Sequence, residues 1–403
     1  MAPELRPYQP PLSWRIPSTL DFGVVAFLCR SFLYGLNNTE VHGLDRFLDV
    51  LDSRKDERAR TRGLITVSNH VSVMDDPLVW GVLPFRYHWY PSNMRWSLGS
   101  FDICFKNSFS KAFFSYGNTL PTHRAAHSKY GGLFQPTITQ VIRLLSDPHA
   151  NTPSTDTAGS ASRRPDAPTL PTSLPPSDPF SASQLTYTTT GTDTFPAPSA
   201  YPSRRFSWIH IFPEGMIHQH PDRVMRYFKW GVARLILEAE PCPDVLPIWI
   251  DGPQNVMSEK RTWPRFIPRA GKDVTVSFGE LVDTEAVFGP FRVRWREMKE
   301  HARRKRLLST SSSSASNEGS FAEPGKEELG ELHDDDLRYG PEAEQLRIDV
   351  TLAVRNEVLK VRRACGLPDE DPKRGLAETF RSEGGEDGGE REVKRDGSVV
   401  RDG

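Results

Sequence analysis

His70 and Asp75, separated by four residues, are the pair of side chains best suited to acid–base chemistry in this sequence. They follow the apolar run Leu64 to Val67 and precede Pro77, an order typical of a strand that ends in a catalytic loop. An imidazole can remove a proton from an alcohol near neutral pH when a carboxylate fixes its tautomer and stabilises the imidazolium. We therefore interpret His70 as a general base and Asp75 as the residue that orients it.

Asp76 and Pro77 have the residue types of a helix N-cap followed by proline at the first helical position. Asp75 would then lie near the positive end of a helix dipole, where the ionised carboxylate is favoured. We expect Asp75 to stay charged at working pH. A His-x4-Asp pair by itself is more often structural or accidental than catalytic, so the interpretation depends on the other motifs.

Two further segments supply candidate substrate-binding residues. The turn Phe212-Pro213-Glu214-Gly215 follows an apolar strand pattern, and its backbone N–H groups could face an anion or substrate hydroxyls, with Glu214 as an acceptor. Arg124 follows a glycine-led turn, and its planar guanidinium matches phosphate oxygens, which makes it the candidate phosphate clamp. Each signal is weak alone, because such turns are ordinary and most single arginines are solvated.

Composition argues against several other functions. A formal net charge of -1 provides no basic field for nucleic acid, and the four cysteines are too far apart for a metal site. The histidines at 210, 218 and 220 lack a fourth ligand at a recognisable spacing, so we predict no metal. The nucleotide-binding, serine-hydrolase and zinc-protease motifs are missing from the sequence, and we expect no cofactor.

The chain reads as one folded domain with insertions. Ser, Thr and Pro make up 28 of residues 151–200, a composition that cannot bury enough apolar surface to offset chain entropy. We predict one folded domain over 12–147 and 206–301, a disordered insertion over 148–205 and a disordered linker over 308–340. An amphipathic helix is predicted over 342–365, because apolar residues recur there at three- and four-residue spacing, and a disordered tail over 373–403.

Alternating strand and helix patterns in the folded ranges predict an α/β fold with a mixed central sheet covered by helices. Strands are predicted at 64–68, 207–212, 245–250 and 274–278, and helices at 76–83, 134–146 and 223–239. The last of these helices is basic and amphipathic, so it suits either an anionic membrane surface or packing on the sheet.

A membrane segment is predicted near the N-terminus. Phe22 to Leu36 is mostly apolar, but it is short for a span and contains Arg30 near its middle. We interpret it as an interfacial, monotopic helix, with a buried core helix as the alternative.

The order of these motifs resembles the glycerolipid acyltransferase superfamily, which has a His-x4-Asp box, a Gly-to-Arg box, Phe-Pro-Glu-Gly and a strand ending in proline, here Leu246-Pro247-Ile248. Within it, the segments Met74-Asp75-Asp76-Pro77 and Phe228-Lys229-Trp230-Gly231 resemble the tafazzin family of mitochondrial phospholipid–lysophospholipid transacylases. The resemblance covers about residues 22–281 and the late helix, and the long insertions look like a fungal-type elaboration.

The resemblance implies an enzyme that moves an acyl chain from a phospholipid to a lysophospholipid such as monolysocardiolipin, without coenzyme A, and so remodels cardiolipin. It would act on the outer and inner mitochondrial membranes, facing the intermembrane space. His70 would deprotonate the lysolipid hydroxyl, Asp75 would hold His70, and the Gly215 turn or Arg124 would bind phosphate.

Two alternatives stay open. One is an acyl-CoA-dependent lysophospholipid or 1-acylglycerol-3-phosphate acyltransferase on the same scaffold, since the motifs describe the acceptor site and base but not the donor. The other is a non-catalytic, membrane-binding scaffold, against which the intact His70 and Asp75 argue.

Overall fold

The computed structural model of the protein describes residues 8–125, 127–150, 185–312 and 329–382. Its strands are β1 (Asn38–His42), β2 (Leu64–Ser68), β3 (Ser97–Ser100), β4 (Thr119–Thr122), β5 (Thr186–Tyr187), β6 (Phe195–Pro196), β7 (Trp208–Ile211), β8 (Asp244–Asp251) and β9 (Asp273–Phe278). Five of them form a central sheet in the order β1-β9-β8-β2-β7. Neighbours are parallel except β8 and β9, which are antiparallel, so the sheet is mixed as predicted.

The helices cover both faces of this sheet. They are α1 (Leu12–Leu36), α2 (Leu44–Ser53), α3 (Asp75–Gly81), α4 (Phe101–Cys104), α5 (Ser108–Tyr116), α6 (Pro136–Leu145), α7 (Gly231–Glu238), α8 (Pro253–Val256), α9 (Thr284–Ser312), α10 (Asp335–Tyr339), α11 (Pro341–Ala364) and α12 (Ala377–Ser382). Short 3-10 turns occur at Phe85–Trp89, Pro91–Asn93, Pro198–Ala200, Pro202–Arg204 and Pro372–Gly375.

Strand β2 shows that the sheet is buried on both faces. All five of its residues are buried, and successive side chains point to opposite faces. Leu64 packs with α1, α2 and α3, whereas Ile65 and Val67 pack with α6, α7, α9 and α11. The predicted α/β fold is therefore confirmed.

The apolar periodicity located the main elements well. The four predicted sheet strands are present as β2, β7, β8 and β9, and α11 occupies the predicted late helix. Leu346, Val350, Val354 and Val358 of α11 are fully buried against the core. The edge strand β1 was missed, because its sequence Asn-Thr-Glu-Val-His holds one strongly apolar residue and only its pairing with β9 makes it a strand.

The predicted helix 223–239 is wrong in its first half, since α7 begins only at Gly231. Side chains from the C-terminal region form hydrogen bonds with the backbone groups that would otherwise bond within an earlier helical turn. Arg355 donates to the carbonyl oxygens of Met225 (3.0 Å) and Arg226 (3.2 Å), and the N–H of Met225 donates to Glu370 (2.8 Å). Within α7 itself, residues 232–238 are all buried, so this helix packs on the core and not on a membrane.

The predicted disordered insertion is too broad at its C-terminal end. Residues 185–205 form β5, β6 and two 3-10 turns that pack on the domain. Ser199 Oγ donates to Gln140 on α6 (2.7 Å), and the buried guanidinium of Arg204 lies over the rings of Trp14 and Trp96, at 4.1 and 4.7 Å. Composition alone did not reveal these contacts. The rest of the predicted insertion, 151–184, lies outside the described residues.

Three other predicted boundaries also shift. The N-terminal apolar helix is 25 residues long, because α1 continues back to Leu12 through Pro17. Helix α9 continues to Ser312 and α10 forms at Asp335–Tyr339, both inside the predicted 308–340 linker. Helix α12 lies within the predicted 373–403 tail. Residues 313–328 and 383–403 fall outside the described part of the chain.

The two parts of the insertion should respond differently to deletion. Replacing residues 155–180 with a short Gly/Ser linker should leave the melting temperature within about 2 °C of wild type, because shortening a loop changes closure entropy by less than about 1 kcal/mol. Extending the deletion through Arg205 removes packing on α6 and should lower it by at least about 5 °C or yield insoluble protein. Thermal melts of both variants test this, and equal melting temperatures would contradict it.

Candidate active site

The site lies where three neighbouring strands end. The carboxyl ends of the parallel strands β7, β2 and β8 lie at one edge of the sheet, and His70 follows β2 while Phe212 follows β7. Asn69 fixes the start of the His70 loop, because its amide donates to the carbonyl of Ile250 and accepts from the N–H of the same residue, both at 2.8 Å. The side chain thus extends the β2–β8 pairing by one residue.

His70 and Asp75 meet as predicted. The distance between His70 Nδ1 and Asp75 Oδ2 is 2.8 Å, and the same oxygen accepts the N–H groups of Val71 (2.6 Å) and Ser72 (2.8 Å). Burial raises the pKa of Asp75 above its ordinary value, although the hydrogen bonds from His70 and from these amides act in the opposite direction. The expectation that the surroundings of Asp75 favour its ionised form is therefore wrong. Because Oδ2 already accepts two backbone N–H groups, the imidazole proton that faces it lies on Nδ1, and Nε2 keeps a lone pair.

The two side chains differ in access. The His70 side chain is 20% exposed and Asp75 is fully buried. The Phe212 ring stacks on the imidazole with centroids 4.3 Å apart, which fixes the plane of the ring. The arrangement can perform general-base catalysis on a hydroxyl that approaches Nε2.

Asp76 does not cap a helix, in contrast to the prediction. Helix α3 begins at Asp75, and the Asp76 carboxylate accepts from Trp80 Nε1 (3.0 Å) and forms an ion pair with Arg95. Burial alone would raise the pKa of Asp76, but the charge of Arg95 and the hydrogen bonds from Arg95 and Trp80 together contribute to lowering that pKa. Arg95 also donates to the carbonyl of Gly117 (3.2 Å). No role was assigned to Arg95 from the sequence.

The Phe212-Pro213-Glu214-Gly215 turn forms, but the backbone N–H of its last residue is not available to bind an anion. Gly215 has a φ of +67°, and its N–H donates to the carbonyl of Phe212 (3.0 Å). That N–H closes the turn and is not directed at a substrate. A Cβ at this position would come within 2.8 Å of the Lys229 side chain, which explains the glycine.

Glu214 contacts backbone, not the predicted substrate hydroxyl. Its Oε1 accepts the N–H of His70 and its Oε2 accepts the N–H of Arg226, each at 2.8 Å. Burial raises the pKa of this carboxyl to about 8. Glu214 is therefore a positioning residue that ties the His70 loop to the segment before α7. The spacing in the sequence gave no signal for this role.

A cavity of about 270 Å³ opens beside His70. Its apolar wall comes from strand ends and helix starts, including Leu98, Leu133, Ile138, Ile211 and Leu235. Phe212, Pro213 and Gly215 line it, together with two cationic side chains, Arg124 and Lys229. Glu214 does not line it.

Arg124 has the predicted location but already has a partner. Its guanidinium forms an ion pair with Asp102 through Nη2 and Nε, the latter at 3.3 Å. This bonding outweighs burial and lowers the pKa of Asp102 to about 2. A phosphate would therefore share Arg124 with Asp102.

The three histidines noted in the sequence do not come together as ligands. His210 is buried at the base of the cavity, bonds Thr66 through Nδ1 (2.9 Å) and has a pKa lowered to about 3 by burial. His218 and His220 stack on each other, with centroids 5.8 Å apart. Among the described residues no group of three or more His, Cys, Asp or Glu side chains is arranged to hold a metal ion.

Comparison with known proteins identifies the family. No family model matches the chain. Tafazzin of Saccharomyces cerevisiae is 33% identical over 383 residues, which span 92% of this chain and 84% of the yeast protein. The chain belongs to the tafazzin family. It is accordingly an acyltransferase that acts on phospholipids.

The chain is also similar to more distant proteins. Tafazzin of Drosophila melanogaster is 25% identical over 70% of this chain and 55% of the fly protein. N-acylphosphatidylethanolamine synthase of Arabidopsis thaliana is 27% identical over 66% of this chain and 71% of the plant protein. Among solved structures, the 1-acyl-sn-glycerophosphate acyltransferase of Thermotoga maritima aligns over 74% of this chain and 81% of that chain with 15% identity and a TM-score of 0.35, a score on which we base no argument.

Glu214→Gln tests the positioning role. The amide nitrogen cannot accept, so either the His70 or the Arg226 N–H loses its partner, at a cost of about 1–3 kcal/mol. We expect a lower melting temperature and slower acyl transfer. Because burial raises the pKa of Glu214 from 4.5 to about 8, the folded state binds a proton that the unfolded state lacks between these values, and stability falls as pH rises through them.

The variant lacks this pH-dependent component. The difference in melting temperature between wild type and Glu214→Gln should therefore narrow from about pH 5 to about pH 8. Glu280→Gln, on an exposed side chain, is the matched control and should show a constant difference. A difference for Glu214→Gln that widened with pH would contradict the assignment.

Proposed function

We propose that the protein is a coenzyme-A-independent transacylase that moves an acyl chain from a phospholipid to a lysophospholipid such as monolysocardiolipin, and so remodels cardiolipin. The observation that carries the proposal is the His70–Asp75 pair, with Nε2 of His70 beside a cavity that has an apolar wall and two cationic side chains. Membership of the tafazzin family supports the choice of substrates.

In this mechanism His70 and Asp75 act as one unit. Nε2 of His70 takes the proton of the lysolipid hydroxyl as its oxygen attacks the carbonyl carbon of a donor ester. Asp75 stabilises the imidazolium. When the tetrahedral intermediate collapses, the departing glycerol oxygen takes the proton from Nε2, so one ester bond forms and one breaks. This exchange is near thermoneutral, and membrane packing then decides the final acyl composition.

The cavity of about 270 Å³ has room for a glycerol backbone with its esters. Acyl chains would remain in the bilayer. Arg124 and Lys229 would bind the phosphate. Arg124 would then divide its hydrogen bonds between Asp102 and the lipid.

The amphipathic packing of α1 supports attachment to one side of a membrane. The helix is long and apolar enough to cross a bilayer, but 33% of its most apolar stretch is buried in the protein. Arg30 donates to the carbonyls of Val82 (2.9 Å) and Leu83 (3.0 Å), so its guanidinium is hydrogen-bonded within the domain. The outward side chains are exposed: Leu12, Ile16, Leu20, Val24, Phe27, Leu28 and Leu36.

A helix packed along its length on a domain is suited to lie in the interface, with its outer face in the lipid. The protein would thus be monotopic on the outer and inner mitochondrial membranes, facing the intermembrane space, as the family suggests.

Acyl transfer from labelled phosphatidylcholine to monolysocardiolipin tests the activity. Purified protein without coenzyme A should produce labelled cardiolipin and an equal amount of lysophosphatidylcholine, and added acyl-CoA should not increase the rate. A strict requirement for acyl-CoA would favour the alternative acyltransferase. When phosphatidylethanolamine is added as a second acceptor, label on its amine would favour the chemistry named for the Arabidopsis relative.

In the same assay His70→Ala and Asp75→Asn should each lower the rate by at least about a hundredfold, and the double variant should be little slower than either. His301→Ala, on the exposed part of α9, is the control and should retain full activity. If His70→Ala retained activity, the proposed mechanism would be wrong. The acyl-CoA-dependent alternative, which uses the same base, would be wrong as well.

Extraction and protease access test the membrane arrangement. High salt should not release the protein from mitochondrial membranes, because apolar burial is not screened as charge contacts are. Tags at the two ends should be cut by protease from the same side. Access from opposite sides would show that α1 spans the bilayer.

A further inference from the structure

A second exposed apolar group lies far from α1 in sequence, in residues 258–272, here called the basic aromatic loop. Trp263 is 83% exposed and Phe266 is 75% exposed. The loop carries five basic residues and one acidic residue, Glu259, a net charge of +4. The basic residues are Lys260, Arg261, Arg265, Arg269 and Lys272.

The loop is held by its own hydrogen bonds, yet its charge is not neutralised. Arg261 donates to the carbonyl of Ser258 (2.7 Å), Arg265 to that of Glu259 (3.2 Å) and Arg269 to that of Thr262 (2.8 Å). These partners are neutral carbonyls. Across the described ranges of the chain, none of the five cations forms an ion pair with a carboxylate. The loop therefore exposes both positive charge and aromatic rings to solvent.

The loop adjoins the C-terminal end of α1. The N–H of Gly271 donates to the carbonyl of Leu36, the last residue of α1 (2.8 Å), and the N–H of Lys272 donates to Asn37 Oδ1 (3.0 Å). Because β8 and β9 are antiparallel, the end of β8 and the start of β9 share the sheet edge from which the His70 loop emerges.

Gln219 connects this loop directly to the active site. Its Nε2 donates to the carbonyl of Val71 (2.7 Å), next to His70, and its Oε1 accepts the N–H of Glu259 (2.9 Å). The basic aromatic loop, the end of α1 and the catalytic loop thus form one connected edge of the domain.

We propose that the basic aromatic loop docks on an anionic phospholipid surface, with Trp263 and Phe266 among the headgroups and the basic residues on the phosphates. Aromatic rings favour the membrane interface, and each basic residue near an anionic surface adds about fivefold in affinity. The positive charge and the continuity with α1 favour an anionic bilayer over a protein partner. The inference rests on the membrane attachment proposed for α1 and is independent of the acyl donor.

Vesicle sedimentation of the full-length protein tests this. We would compare vesicles of phosphatidylcholine alone with vesicles containing about 20% phosphatidylglycerol. Lys260→Gln/Arg265→Gln should bind the phosphatidylglycerol vesicles about 20- to 30-fold more weakly than wild type and bind pure phosphatidylcholine equally well. Trp263→Ser/Phe266→Ser should weaken binding to both vesicles by at least about tenfold. The control Arg296→Gln/Arg303→Gln removes two exposed cations from α9, on the other sheet face, and should bind as wild type does.

The outcomes separate the two proposals. Wild type that binds both vesicles, with charge and aromatic variants that bind equally well, would overturn the docking loop and leave the α1 attachment standing. Wild type that binds neither vesicle would overturn the α1 attachment and the loop together. If the control variant bound the phosphatidylglycerol vesicles as weakly as Lys260→Gln/Arg265→Gln does, the loss of binding would depend only on net charge. That result would also overturn the assignment.

Discussion

The carboxyl group of Glu214 joins the His70 loop to the core of the domain. It is buried and accepts one backbone N–H from the His70 loop and one from Arg226, on the segment before α7. Beyond Arg226, Arg355 of α11 bonds the Met225 and Arg226 carbonyls and pairs with the buried Glu370. The C-terminal helix, far from the cavity in sequence, thus determines where His70 is held.

Such a carboxylate is costly to bury, which explains its raised pKa. Two N–H donors offset the cost only while both keep their geometry, so the catalytic loop and the α7 segment are constrained as a pair. The same logic applies on the other side of His70, where Asp75 gathers three donors on a single oxygen. The imidazole keeps one nitrogen, Nε2, for the proton transfer in the proposed mechanism.

The two faces of the sheet are covered in different ways. On one face, α6, α7, α9 and α11 form a closed core that carries the Glu214 network. On the other, α1 packs one side on α3 and leaves the opposite side exposed, and the basic aromatic loop adjoins its end. This asymmetry is consistent with the proposed mechanism, in which the reacting ester reaches His70 while its acyl chains stay in lipid.

Sequence alone determined the features that depend on near neighbours or on apolar periodicity. The His70–Asp75 pair, the Phe212–Gly215 turn, the buried strands and α11 are encoded by short spacings. The tertiary structure decided which distant groups meet. Glu214 lies 144 residues from His70, and Arg355 lies 129 residues from Arg226. Neither pairing has a local signature, so Glu214 was taken for a substrate contact and 223–230 for a helix. A buried polar group takes whichever partner the fold brings to it, and residue spacing does not record that choice.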